Sequence, residues 1–92
     1  MSMPSFEHQA DPLNRARLRW RARRGLLEND LVLTRFFDKH EHDLSDDDVR
    51  ALTQLFELPD TDLLDLILAR KEPEGNLQQI DIKRVIDLLR NA

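Results

Sequence analysis

The chain has 92 residues, no cysteine, 40% hydrophobic and 35% charged residues, and a formal net charge of −4. That length suits one small domain, and the missing thiols exclude a disulfide framework, a thiolate zinc site and a cysteine nucleophile. No apolar stretch reaches the ~20 residues of a membrane span, and the opening MSMPSFEHQADP lacks the basic and apolar regions of a secretory signal, so a cytoplasmic protein is expected.

Residues 1–10 read as a flexible polar tail, leaving 11–92 as one helical domain. Asp11 offers an N-cap acceptor ahead of Pro12, whose missing N–H costs nothing at the first helical position. The stretch RARLRWRAR that follows alternates charged and apolar residues, the period of a half-buried strand. Leu13, Ala16 and Trp20 also recur at i, i+3 and i+7, and Ala, Leu and Arg favour helix. The segment is therefore assigned to a helix with that apolar stripe inward, ended by Gly25 as a left-handed cap. On a helix, arginines spaced by two scatter around the axis instead of forming one face.

A second helix is expected from Leu26 to about Lys39. Leu26, Leu33 and Phe37 lie near one line, with Leu27 and Leu31 beside it. Val32 and Phe36 fall on a different face, in register with Glu28. A helix apolar on more than one side is either surrounded by its bundle or partly reserved for a partner. Ser45 and the run SDDD start a third helix, a hydroxyl cap followed by carboxylates at the positive end of the dipole. Val49, Leu52 and Phe56 form its inner stripe. Asp60 is expected to cap a short fourth helix carrying Leu63, Leu66 and Ile67, and KEPEGN reads as a turn. Asn76 is expected to cap a last helix with Ile82, Val85 and Leu89 inward. The fold class is all-α, a small monomeric five-helix bundle.

Chemistry is sparse. His40 and His42 lie among Asp38, Glu41 and Asp43, but positions two apart on a helix do not face each other, so no metal site is assigned. No Gly-rich phosphate loop is present, and Ser45 and Thr61 suit capping or turns. No catalytic residue is assigned, and the protein is read as not an enzyme. Charge is the stronger signal. Residues 1–37 hold seven Arg and four acids, a balance of +3, and residues 38–92 hold seven Lys or Arg and fourteen acids, a balance of −7. Six arginines crowd between Arg15 and Arg24. Read as a nucleic-acid element, they would contact phosphates with Trp20 as a stacking surface. The acidic remainder opposes that reading, and a solvated face or a protein-docking face is the commoner role of such a helix.

The stretch RWRARRGLLENDLVLTRF resembles the signature of the succinate dehydrogenase assembly factor 2 family, the bacterial FAD assembly factors. The family's Arg-Gly-x-x-Glu falls on Arg24, Gly25 and Glu28, and DTDLLDLIL resembles its Asp-x-Asp-Leu segment at Asp60, Asp62 and Leu63. The likeness covers the chain from about Leu13 to Leu89. There are departures: Asn29-Asp30 stands where members commonly have Leu-Asp, Leu66 replaces a frequent Trp, and Lys71 replaces a nearby glycine.

The resemblance implies a factor that binds the immature flavoprotein subunit of succinate dehydrogenase or fumarate reductase and promotes covalent attachment of FAD. A histidine of that client bonds to the flavin, and the factor itself holds no cofactor stably. The implied docking surface comprises Arg24, Gly25 and Glu28 with Arg19, Arg21, Arg23, Asp30, Val32 and Phe36, and Asp60, Asp62 and Leu63 as a second segment. Taken singly, Gly25 also suits a helix C-cap and Glu28 a first-turn carboxylate. The alternative function is a small regulatory module, antitoxin-like or nucleic-acid-associated, using the Arg-rich helix. A structural adaptor unrelated to flavin comes third.

Overall fold

The structure, a computed structural model, describes residues 6–23 and 27–92. Among these residues there are six α-helices and no strand. They are α1 (Glu7–Ala10), α2 (Pro12–Ala22), α3 (Leu27–His40), α4 (Asp46–Phe56), α5 (Asp60–Ile67) and α6 (Ile80–Arg90), with 3-10 turns at Glu41–Asp43 and Gly75–Gln78. Helices α2 to α6 correspond to the five expected from the sequence, so the alternating segment 15–22 is helical. Strong intrinsic helix preference overrides the strand-like period there.

The caps explain where two helices start. The Asp11 carboxylate accepts from the Leu13 N–H at 2.9 Å, with Pro12 in the first turn. Ser45 and Asp48 form a reciprocal capping box at the head of α4. Asp48 is buried and also pairs with Arg84, fastening α6 to the start of α4. Two expected caps are corrected. Asp60 is the first residue of α5, with Pro59 as N-cap and no side-chain cap bond. Asn76 lies in a 3-10 turn, and α6 begins at Ile80 behind an N-cap at Gln79.

Helix α6 packs against α3, α4 and α5 and buries Ile82, Val85, Ile86 and Leu89. These meet Val49, Leu52 and Phe56 of α4 and Leu63, Leu66 and Ile67 of α5 in one continuous core. Arg90 closes the far end by donating to the Leu66 carbonyl at 2.8 Å.

Residues 1–10 were read as a tail, but Glu7–Ala10 forms a helical turn fixed by distant partners. Gln9 is buried and donates from Nε2 to the Glu41 carbonyl at 2.8 Å, and the His8 N–H donates to Asp46 Oδ1 at 2.9 Å. Neither contact leaves a local periodicity to read.

The inward face of α2 is also corrected. Leu18 and Ala22 are buried, whereas Leu13, Ala16 and Trp20 are exposed. In this rotation Leu18 and Ala22 join the continuous core, and Arg15 and Arg19 lie over acids of α3 and the following turn.

Candidate functional site

Arg24 and Gly25, two of the three residues of the Arg-Gly-x-x-Glu motif, lie outside the described residues. The third, Glu28, is exposed on the first turn of α3 and makes no ion pair among the described residues. Its neighbour Asn29 is fully buried and donates from Nδ2 to the Asp60 carbonyl at 3.0 Å. That bond brings the motif's helix against the start of the second segment, which the sequence separates by 31 positions. Asn29 Oδ1 is buried without a hydrogen bond. Asp30 and Asp62 are half-buried, and Leu63 is a core residue with no exposed surface.

The arginines of α2 divide into two rows, Arg15 with Arg19 and Arg17 with Arg21, because residues four apart share a helix face, and Arg23 follows the helix end. Arg19 lies 2.5 Å from Asp38 and 3.3 Å from Glu41, and its guanidinium sits 5.8 Å from the centroid of the Phe37 ring. The Asp38 hydrogen bond foremost, aided by the charges of Glu41 and Asp38, raises the Arg19 pKa against the opposing effect of burial. Arg15 donates to the Gln9 carbonyl and approaches Glu41 at 3.9 Å. These two arginines therefore fix α2 onto α3 and the turn after it. Arg17, Arg21 and Arg23 are exposed and make no ion pair among the described residues. Of the arginines named from sequence, Arg21 and Arg23 stand open, while Arg19 is engaged within the chain.

Phe36 is corrected. It has no exposed surface and meets Phe37 edge-to-face at 5.3 Å between ring centroids. Val32 is half-buried and packs against the core. Helix α3 touches α2 on one side and α5 and α6 on another, so the bundle surrounds both of its apolar faces. Leu31, by contrast, remains exposed. On α3 itself Glu28 and Leu31 are therefore exposed and Phe36 is not.

Two features escaped sequence reading. The exposed Trp20 was assigned inward, and Asn29 was noted as a departure without a structural role. Arg19 opposite Asp38 and Arg15 opposite Glu41 are the signal that orients α2, but it is visible only once α2 and α3 are known to pack together. Among the described residues, no three His, Asp or Glu side chains are grouped to hold a metal ion, and no helix is long and apolar enough to cross a membrane.

Comparison with known proteins adds the following. The family model described as "Flavinator of succinate dehydrogenase" matches residues 16–92. The chain is 67% identical over 86 residues to the FAD assembly factor SdhE of Ralstonia nicotianae, covering 94% of this chain and 90% of that one. It is 38% identical over 79 residues to the protein of that name from Photorhabdus laumondii, covering 85% and 84%. With the one from Coxiella burnetii it shares 33% identity over 76 residues, covering 83% and 88%. No solved structure matches the chain.

Proposed function

The chain belongs to the family described as flavinator of succinate dehydrogenase, and from that premise we propose that it is an FAD assembly factor acting on an immature flavoprotein subunit. The client is the flavoprotein of succinate dehydrogenase or fumarate reductase, and the outcome is covalent attachment of FAD to it. The flavin belongs to the client, and the factor keeps no cofactor of its own. Its contribution is geometric, not enzymatic. By binding the client it holds the reacting histidine and flavin in a productive arrangement, and positioning of this kind can remove several kcal/mol of a barrier. On this reading the protein works in the cytoplasm as a monomer, without nucleic acid or membrane.

One observation carries the proposal. Glu28 stands exposed on the first turn of α3 while the adjacent Asn29 is buried and tied to Asp60. An exposed carboxylate on a fixed turn loses little freedom when it meets a partner. Arg21 on α2, Arg23 just after it and Asp62 on α5 are the other members of the docking surface, together with Arg24 and Gly25.

Glu28→Ala tests the reading. Stability should change by no more than ~0.5 kcal/mol, as is usual for a surface position. Covalent flavin on the client, seen as in-gel fluorescence of the denatured subunit, should fall sharply in a deletion strain carrying the variant. Full restoration of flavinylation by Glu28→Ala would show that this motif does not dock the client.

A further inference from the structure

The face of α2 turned away from the core carries an apolar stripe that the fold leaves bare. Leu13 is 55% exposed and Trp20 72% exposed, with Ala16 between them. Trp20 is the single tryptophan of the chain. Between it and α3 runs an open groove of about 340 Å³, whose apolar floor of Ala16, Leu33 and Phe37 is bordered by Arg19 and Arg23 and by one carboxylate, Asp30. On its outer side Arg17 and Arg21 flank the indole and line a shallow apolar depression with it. None of Arg17, Arg21 and Arg23 makes an ion pair among the described residues, whereas Arg15 and Arg19, the latter also at the groove, are engaged with Asp38 and Glu41. An exposed Trp bordered by unengaged Arg joins the two residue types most enriched at energetically dominant interface positions.

We infer that this groove seats an acidic segment of the flavoprotein client, with one apolar or aromatic side chain entering beside Trp20 and carboxylates meeting Arg17, Arg21 and Arg23. The inference rests on the assembly-factor reading above. Charge selects this occupant. Residues 38–92 carry a balance of −7, which repels a long polyanion such as nucleic acid. A short acidic segment interacts chiefly with the arginines within a Debye length of it. A second copy of the chain is disfavoured as well, since a two-fold contact through this stripe would set arginines against arginines.

The test uses the full chain with its tryptophan replaced by fluorotryptophan, which gives one fluorine resonance. The purified apo form of the client flavoprotein subunit is added, and complex formation is followed in parallel by gel filtration. The resonance should shift on binding. Trp20→Ala should weaken the complex by about tenfold or more without altering thermal stability. Paired charge reversal, Arg17→Glu with Arg21→Glu, should do the same, and paired Lys substitution should retain most of the affinity. A complex that forms with the resonance unmoved, or with affinity indifferent to charge reversal, overturns the inference and leaves the assembly function standing. A resonance that moves with protein concentration alone assigns the groove to a second copy and also overturns it. Failure of any complex to form removes both the function and this inference.

Discussion

Asn29 and Asp60 are joined by a buried hydrogen bond of 3.0 Å that ties the first turn of α3 to the first residue of α5. Helix α3 carries Glu28, and α5 opens the second motif segment. Their mutual position is therefore fixed inside the protein, by this amide together with the shared core, not by the exposed residues themselves.

Two replacements of that amide measure what it contributes. Asn29→Ala should destabilise the fold by about 1–3 kcal/mol through the lost bond and the space left behind. Asn29→Asp, of nearly the same shape, should cost more, because it sets a carboxylate oxygen against the Asp60 carbonyl at a fully buried position. Urea unfolding of the three proteins measures both. Equal stability of Asn29→Asp and wild type would mean that the bond contributes nothing.

Phe36 and Glu28 give a second contrast on one helix. Phe36→Ala should lose about 3–5 kcal/mol, as a fully buried aromatic does. Phe36→Leu should fold and should flavinylate the client normally, since the ring is out of a partner's reach. Thermal melts and in-gel flavin fluorescence together check this. A folded Phe36→Leu protein that fails on the client would return Phe36 to the docking surface.

Helix α5 ends in a strained residue. Ala69 holds a left-handed conformation at φ 60°, the Arg70 N–H donating to the Asp65 carbonyl at 2.9 Å and the Ala69 N–H to the Leu66 carbonyl at 3.2 Å. This is the two-bond helix ending that glycine normally serves. Ala69→Gly should accordingly stabilise the protein by about 1 kcal/mol, the steric penalty on Cβ exceeding glycine's entropic cost. The opposite sign in a chemical melt would show that the ending relaxes without its left-handed residue.

Binding of DNA or RNA should be negligible at physiological salt, because the acidic remainder of the chain opposes the few open arginines. Fluorescence anisotropy with labelled duplex and single-stranded probes decides it. Submicromolar affinity with a steep fall against log salt would instead favour the regulatory-module reading.

Helices α4, α5 and α6 were legible because their apolar residues repeat at helical spacing on one face only. Val49, Leu52, Leu63, Val85 and Leu89 all lie in the core as that pattern requires. Helix α2 was not legible in the same way. Its alternation of Arg with Ala, Leu and Trp offers two apolar stripes, and propensity cannot rank them. The choice depends on the partner surface some 20 residues on, where Asp38 and Glu41 pair with Arg19 while Leu18 and Ala22 are buried. Helix α1 is shorter than any periodic signal and depends on Glu41 and Asp46. In the candidate site Glu28 was placed correctly on the surface. Phe36 was not, because one helix cannot reveal how many neighbours will enclose it.

Every residue singled out for docking, from Arg17 to Leu63, precedes α6 in the chain, yet α6 is the helix against which α3, α4 and α5 all pack. During synthesis the motif therefore leaves the ribosome well before the surface that displays it can form. A fragment stopped short of Ile80 would keep the complete recognition sequence with the apolar faces of three helices open to water. Competence for the client is in this sense conferred by residues that contribute nothing to recognition, and it arrives late and all at once.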